Sequence, residues 1–268
     1  MPDPMAVACA TATAVADLLR ARWNDSTTQV RYKGAVDLVT DADLAAEELA
    51  IRLLRAEFPD HAIVAEESAP GAAPGANCWY VDPLDGTTNF AHRYPHVAVS
   101  IAFARQGEIV LGVVHDPLRD EQFAAARGAG ATLNGQPIRV SDTPTLDRAL
   151  LATGFPYDRR ERAAFYVRHL ERFLSRGQCV RRSGCAALDL CYVGCGRLDG
   201  FWEWNLKPWD TAAGALIVAE AGGRISDFAG GRFSPHGAQA LASNARIHDE
   251  MLAELQRLLS STGPARSN

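Results

Sequence analysis

Several common features are missing from the sequence, and each absence excludes a class of protein. The 268 residues include six cysteines but no Cys-x-x-Cys pair, so we do not expect a structural zinc site. The net charge of −5 lacks the positive excess of a general nucleic-acid-binding protein. No apolar run approaches the roughly 18 residues that a membrane-spanning helix needs. We therefore expect a globular protein without a nucleic-acid or membrane partner.

The N-terminal segment lacks the features of a targeting signal. No basic residue precedes its apolar part, and Asp3, Asp17 and Arg20 interrupt the segment. A secretory signal instead begins with a positively charged region, which an apolar stretch follows. We predict an amphipathic first helix and a cytoplasmic location, where the group Cys185, Cys191 and Cys195 would be buried, reduced thiols.

What is present is an alternation of helical and extended patterns. Residues 41–58 have helical apolar spacing behind Thr40, a preferred N-cap residue. Consecutive strand patterns in the first half argue against a purely parallel, doubly wound sheet. The turn-rich segment SDTPTLD predicts a boundary near residue 145, between an N-terminal α+β part (1–145) and a C-terminal α/β part (146–268).

The stretch WYVDPLDGTTNF, residues 79–90, indicates chemistry. An apolar strand ends in Asp82, and Asp85 and Gly86 follow in a tight turn. Carboxylates at the end of a strand can project into a crevice at the edge of the sheet. A helix that begins at Thr87 would direct its N–H groups toward the same turn and form an anion site. Carboxylates beside such amides suit Mg²⁺ held between protein and phosphate.

Three further acidic segments lie at the ends of predicted elements. DLVTDAD places Asp43 at the start of a helix, AEES places Glu66 after a strand, and PWDTAAG places Asp210 at the start of another helix. Each segment alone is typical of a helix cap or a surface turn. Four acidic segments in this order are far more specific than any one of them.

On these motifs the sequence resembles the inositol monophosphatase family, part of the lithium-sensitive, metal-dependent phosphatase superfamily that includes fructose-1,6-bisphosphatases. The matching stretches are DLVTDAD, AEES, DPLDGTTNF and PWDTAAG…EAGG, and RRSGCAALDLCYVGCGRLDGFWEW is similar to the family's substrate-side segment. One departure is Ala65, where the family often has glycine. The resemblance covers nearly the whole chain and implies an α+β fold, a layered αβαβα sandwich. It also implies a homodimer that hydrolyses phosphate monoesters with two to three Mg²⁺ ions per site.

The resemblance assigns the metal and phosphate contacts by position. The metal ligands that it implies are oxygen donors, namely Glu66, Asp82, the backbone carbonyl of Leu84, Asp85 and Asp210. Gly86 and Thr87 would donate amides to the phosphate. Asp43 and Thr87 would orient and activate the attacking water, and Glu66 would also contribute to a weaker third metal site. The carboxylates would repel each other and a phosphate dianion unless cations reversed the local charge.

The remaining assignments concern the alcohol and the edge of the site. Glu203 and the backbone of Ala186 match residues on the family's substrate side, and Lys33 falls in a mobile loop near the metals. In the predicted division, the N-terminal part contributes most metal and phosphate ligands. The C-terminal part contributes Asp210 and the substrate-side residues. We expect His96 to have a packing or surface role, because this metal chemistry needs no imidazole.

The expected activity is Mg²⁺-dependent hydrolysis of a phosphate monoester, with myo-inositol 1-phosphate as the preferred substrate, by metal-activated water without a covalent intermediate. A fructose-1,6-bisphosphatase, a histidinol-phosphatase and a non-catalytic sugar-phosphate-binding module are alternatives. A phosphatase with an aspartyl-phosphate intermediate would need DxDx(T/V) after a strand. The spacing from Asp82 to Asp85 is one residue too long for that motif.

Overall fold

The architecture consists of alternating layers of helix and sheet, in a computed structural model that describes residues 2–24, 30–32 and 38–261. Within these ranges the helices are α1 (Pro4–Trp23), α2 (Asp41–Glu57), α3 (Thr87–Ala91), α4 (Arg159–Leu174), α5 (Ala186–Gly194), α6 (Pro208–Glu220) and α7 (His248–Ser261). Lys33, which we predicted to approach the metals, lies outside the described residues.

The described strands form two large sheets and a small ribbon. The seven-stranded sheet contains, in spatial order, β3 (Ala62–Ala65), β4 (Asn77–Asp85), β5 (Ala98–Arg105), β6 (Glu108–Asp116), β7 (Glu121–Ala126), β8 (Gly130–Leu133) and β9 (Gln136–Pro137). The five-stranded sheet contains, in spatial order, β11 (Cys179–Arg181), β10 (Leu150–Thr153), β12 (Gly200–Trp204), β14 (Gln239–Ser243) and β13 (Arg224–Ser226). The ribbon pairs β1 (Val30–Tyr32) with β2 (Leu38–Thr40).

The seven-stranded sheet is buried on both faces, because successive side chains of a strand point to opposite sides. In β4, Trp79 and Val81 pack with helices α1 and α2. Cys78 and Tyr80, from the same strand, pack instead with α5 and α6. The strand therefore reads as a continuous apolar run and not as an alternation of apolar and polar residues.

The five-stranded sheet is covered in the same way. Ala152 and Phe201 pack with α5, whereas Leu151 and Trp202 pack with α4 and α7. The layers are therefore α1 and α2, the first sheet, α5 and α6, the second sheet, and α4 with α7. This order confirms the α+β, layered αβαβα fold that the resemblance implied.

Helix α1 is the one helix in the described part of the chain that is long and apolar enough to span a membrane, judged by length and composition alone. Its buried residues, which pack against α2 and the seven-stranded sheet, are Ala8, Thr11, Ala12, Val15, Ala16 and Leu19. A core helix can pass the same test of length and composition. In α1, 33% of the apolar window is buried, and Asp3 is the N-cap residue.

Strand β4 differs from the prediction at its C-terminal end. We predicted that the strand ends at Asp82, but it continues through Pro83 to Asp85. The pairing with β5 shifts between Asp82 and Asp85, where a bulge inserts one extra residue. Pro83 has no N–H group to donate to the neighbouring strand, which explains the interruption.

The cysteines around helix α5 differ in exposure. Cys185 and Cys191 are buried, as predicted, but Cys195 is only partly buried because it is the C-cap residue at the end of the helix. All six cysteines are free thiols.

The boundary predicted near residue 145 falls between the last strand of the first sheet and the first strand of the second. The two parts nevertheless share a core, since α6 packs against the first sheet. At Gly112 of β6, an added Cβ would lie 2.6 Å from the Cα of Ala213 in α6. A glycine is therefore needed for this close approach. The division into 1–145 and 146–268 stays a prediction.

Candidate active site

A cleft of about 850 Å³ lies at the ends of β4 and β12 and at the starts of α3, α5 and α6. The residues of the predicted site that line it are Glu66, Asp82, Leu84, Asp85, Gly86, Thr87, Ala186, Glu203 and Asp210. Asp43 is buried behind this wall and contacts it through Thr87. The tertiary structure thus brings together the predicted residues that it describes.

The turn after β4 depends on a glycine. Gly86 has φ of 92°, in the left-handed region, and a Cβ at this position would lie 2.9 Å from the carbonyl oxygen of His96. Both observations exclude a larger residue without local rearrangement. The turn leads directly into α3, a single helical turn from Thr87 to Ala91 whose first amides have no acceptor within the helix. The amides of Gly86 and Thr87, which we predicted to bind an anion, lie at this turn, and their binding role stays a prediction.

Asp43 and Thr87 form a hydrogen-bonded pair between α2 and α3. The Thr87 hydroxyl lies 2.8 Å from Asp43 Oδ1 and 3.1 Å from the carbonyl oxygen of Leu84, and it can donate to either acceptor. The other carboxylate oxygen of Asp43 accepts from the backbone N–H of Thr40 at 2.8 Å and from its hydroxyl at 2.6 Å. These contacts close the capping box of α2 and hold the carboxylate in one orientation.

Three aspartates of the cleft each use one carboxylate oxygen to accept a backbone amide. Asp82 accepts from Leu84 at 3.0 Å, and Asp210 accepts from Lys207 at 2.7 Å. Asp85 accepts from the N–H of Ala187 at 2.7 Å, across 102 residues of sequence. The amides orient the side chains, and the second oxygen of each can bind another group.

The electrostatics of these aspartates indicate a deficit of positive charge. Burial, together with the negative charges of Glu66, Asp85 and Asp210, raises the pKa of Asp82 well above its ordinary value. Burial raises the pKa of Asp85 to about 6. Burial and the neighbouring Asp85 raise the pKa of Asp210 to about 7. A cation among these oxygens would remove the repulsion that opposes their ionisation.

The donor set suits a hard cation that also binds the substrate. Among residues 2–24, 30–32 and 38–261, no three His, Cys, Asp or Glu side chains are close enough to enclose an ion by themselves. Mg²⁺ commonly takes only one or two carboxylates and completes its shell with water and phosphate oxygens. The carboxylate oxygens that line the cleft beside the Gly86 turn therefore have the chemistry of Mg²⁺ ligands, and water and phosphate oxygens would have to complete the shell.

Glu203, in strand β12, forms another part of the cleft wall. It is 8% exposed, and burial raises its pKa well above the ordinary value for a glutamate. A Cβ at Gly154 would lie 2.1 Å from Glu203 Oε2, so any larger residue at position 154 would displace this carboxylate. Ala186, the first residue of α5, lines the same wall.

Asn89 lines the cleft and had no role in the sequence interpretation, and it contacts His96, which we expected to pack or to lie at the surface. The side-chain amide of Asn89 donates to the carbonyl oxygen of His96 at 2.7 Å and to that of Ser183 at 2.9 Å, so it connects α3 to the turn before α5. His96 is buried, with Nε2 3.5 Å from Asp189 Oδ1, which is long for a hydrogen bond. Asn89 lies within the DGTTNF motif, but only the fold shows what it contacts.

Comparison with known proteins places the chain in one family. The model of the inositol monophosphatase family matches residues 2–260. An inositol-1-monophosphatase from Synechocystis sp. is 48% identical over 231 residues, which are 83% of this chain and 78% of that protein. Nus factor SuhB from Escherichia coli is 46% identical over 235 residues, which are 87% of each protein. The crystal structure of extragenic suppressor protein SuhB from Bartonella henselae has a TM-score of 0.88 and 38% identity, and covers 94% of this chain and 98% of that one.

The fold and these relatives define an enzyme, a phosphoric monoester hydrolase of the inositol-1-monophosphatase type. The chain belongs to the inositol monophosphatase family. Mg²⁺-dependent phosphatase activity is a general property of that family.

Proposed function

We propose that this protein hydrolyses phosphate monoesters with Mg²⁺ and that myo-inositol 1-phosphate is its preferred substrate. The observation that supports the activity most directly is that Asp82, Asp85 and Asp210 line one cleft together with the Gly86 turn. The name of the Synechocystis relative supports the choice of substrate.

The proposed metal ligands are the oxygen donors that line the cleft, Glu66, Asp82, the carbonyl of Leu84, Asp85 and Asp210. When bound, Mg²⁺ ions supply Lewis acidity, lower the pKa of water and neutralise the developing charge of the leaving oxygen. The amides of Gly86 and Thr87 would bind the phosphate, because the start of α3 directs N–H groups and a partial positive charge into the turn. These contacts would place the phosphorus next to the hydroxyl of Thr87.

We assign Asp43 and Thr87 to the attacking water. A Thr87 hydroxyl that donates its proton to Asp43 keeps its oxygen lone pairs free to accept a hydrogen bond from water. Asp43 cannot rotate away, since Thr40 holds its second oxygen with two hydrogen bonds. The pair would therefore orient the water and take up its proton, and the reaction needs no nucleophile from the protein.

A panel of substrates tests the proposal. Turnover of inositol 1-phosphate, fructose 1,6-bisphosphate, histidinol phosphate and adenosine 3′,5′-bisphosphate should be measured at saturating Mg²⁺. We expect inositol 1-phosphate to have the highest kcat/KM. A clear preference for one of the other three would reassign the substrate. Binding of Mg²⁺ and substrate without any turnover would instead favour the non-catalytic sugar-phosphate-binding module.

Glu203→Gln should change the discrimination between alcohols. The carboxylate would accept hydrogen bonds from substrate hydroxyls, and a side-chain amide offers one acceptor fewer. We expect kcat/KM for inositol 1-phosphate to fall about tenfold, or ~1.4 kcal/mol, the scale of one hydrogen bond to a charged group. Hydrolysis of phenyl phosphate, whose leaving group has no further hydroxyl, serves as the control and should hardly change. An unaltered ranking of substrates would contradict the assignment of Glu203.

Lithium should inhibit turnover where sodium does not. The proposed second metal position, formed by Asp82, Asp85 and Asp210, has hard oxygen donors, and Li⁺ is closer than Na⁺ to Mg²⁺ in size. Li⁺ has one charge fewer and would stabilise the leaving oxygen less. The rate should be measured at fixed ionic strength while LiCl replaces NaCl stepwise. Equal rates in both salts would require a different set of ligands at this position.

The name of the Escherichia coli relative raises a second candidate function, a role as a Nus factor. That protein and several others 43% to 46% identical to this chain are named Nus factor SuhB. The test is whether the gene for this protein can replace that of its relative in Escherichia coli cells. If it can, the Asp85→Asn variant, which we expect to be inactive, will show whether the replacement depends on hydrolysis. The expected absence of a nucleic-acid partner stays a prediction.

Two further properties also remain predictions. We propose a homodimer, which sedimentation analysis over a range of protein concentrations would test. We also propose a cytoplasmic location, since α1 packs one face against α2 and the seven-stranded sheet. Fractionation of cells that express a tagged protein would test the location.

A further inference from the structure

Helix α2 places two buried carboxylates one turn apart. Asp43 is 1% exposed and Glu47 is 3% exposed. Positions i and i+4 of a helix lie on the same face, so both side chains project from the same side of α2. Asp43 has a place in the proposed function, whereas Glu47 does not. A buried carboxylate is costly unless hydrogen bonds compensate for the water that it has lost, and the partners of Glu47 therefore indicate its role.

Glu47 accepts from two consecutive backbone amides. Oε2 lies 2.7 Å from the N–H nitrogen of Glu67, and Oε1 lies 2.7 Å from that of Ser68. Both hydrogen bonds are short, as is typical when the acceptor carries a charge. They span 20 and 21 residues of sequence and connect α2 to the segment that follows β3.

The two amides immediately follow Glu66. The backbone N–H of Glu66 itself donates to the carbonyl oxygen of Val81 in β4, at 3.3 Å. The main chain at Glu66 is thus held on one side by β4 and on the other by Glu47. Beyond Ala65, the last residue of β3, the chain enters a turn and no longer has the regular ladder of the sheet. Glu47 supplies the hydrogen bonds that fix the position of this turn.

We propose that Glu47 is a positioning residue, which binds the amides of Glu67 and Ser68 and thereby directs the carboxylate of Glu66 into the metal cleft. The inference rests on the proposed function in one respect, the assignment of Glu66 as a metal ligand. Groups that orient a metal ligand commonly contribute 10- to 100-fold to metal affinity. Glu47 would act on the affinity for Mg²⁺ and not on the chemical step.

Glu48, which follows Glu47 in helix α2, offers a matched control. Glu48 has the same side chain but is exposed to solvent. Glu47→Gln removes the charge and turns an NH₂ group toward one of the two amides, whereas Glu48→Gln changes the same charge without disturbing either contact. Glu47→Asp keeps the charge but shortens the side chain by one methylene, about 1.5 Å. It can therefore reach at most one amide.

The experiment combines Mg²⁺ calorimetry on the full chain without substrate, hydrogen exchange of the amides of Glu67 and Ser68, and kcat as a function of Mg²⁺ concentration. We expect Glu47→Gln to weaken Mg²⁺ binding at least about tenfold and to speed the exchange of both amides. At saturating Mg²⁺, kcat should return to within a few-fold of the wild-type value. Glu48→Gln should match the wild type in all three measurements.

The outcomes separate this inference from the proposed function. Unchanged Mg²⁺ affinity in folded Glu47→Gln protein, or a loss of kcat that saturating Mg²⁺ does not restore, would overturn the positioning role. If Glu47→Gln does not fold, Glu47→Asp decides by the same criteria, with a smaller expected shift in the same direction. If Glu47→Gln weakens Mg²⁺ binding but the wild type hydrolyses no phosphate monoester, the proposed function is rejected. The positioning role of Glu47 would then still stand.

Discussion

Asp85→Asn should lower kcat for inositol 1-phosphate by about 10³-fold, or ~4 kcal/mol of transition-state stabilisation, even at saturating Mg²⁺. The carboxylate has two functions in this fold. One oxygen accepts from the N–H of Ala187 and anchors the start of α5, and the other is proposed to bind the metal that stabilises the leaving oxygen. The carbonyl oxygen of asparagine can still accept from Ala187, so the fold should survive. The negative charge is lost, and an NH₂ group replaces the oxygen that is proposed to bind the metal.

Asp116 offers a matched control for this variant. It also ends a strand, it is fully buried, and one of its oxygens accepts from the backbone N–H of Leu118 at 2.9 Å. It does not line the cleft. Asp116→Asn should therefore leave kcat nearly unchanged, although it weakens the ion pair with Arg119 and can lower the melting temperature. Near-normal turnover by Asp85→Asn at high Mg²⁺ would exclude Asp85 as a metal ligand.

The second large effect is expected for Asp43→Asn, which should lower kcat by about 10²- to 10⁴-fold, the range for loss of general base assistance. In the capping box, one side-chain oxygen of residue 43 must accept hydrogen bonds from the N–H and from the hydroxyl of Thr40. The asparagine oxygen should take that place, so its NH₂ group would face Thr87. The hydroxyl of Thr87 would then have to accept from the amide and could no longer both donate to residue 43 and accept from water.

Steady-state kinetics at several Mg²⁺ concentrations would check this expectation. KM and the Mg²⁺ requirement should change little, because Asp43 is not among the proposed metal ligands. Thr87→Ser, which retains the hydroxyl, should keep most of the activity, whereas Thr87→Ala should lose as much as Asp43→Asn. A folded Asp43→Asn protein with wild-type kcat would show that another group activates the water.

Much of the secondary structure could be predicted because its signals are local. Thr40 caps α2, as predicted, and Gln106 and Gly107, both at positive φ, form the tight turn between β5 and β6. Capping and tight turns depend on a few neighbouring residues, so the sequence is sufficient to predict them. The extension of β4 to Asp85 was not predicted, since a bulge depends on the strand that pairs with it.

The sequence by itself determined which chemistry is available, because the acidic residues follow strands or precede helices in motifs that can be recognised one at a time. Only the tertiary structure decided how these motifs meet. Two hydrogen bonds join residues that are distant in sequence, one between Asp85 and Ala187 and the other between Glu47 and Glu67. Such contacts depend on how the layers pack, and packing depends on the shapes of many side chains at once. A motif therefore predicts a ligand, whereas the residue that orients the ligand becomes visible only in the fold.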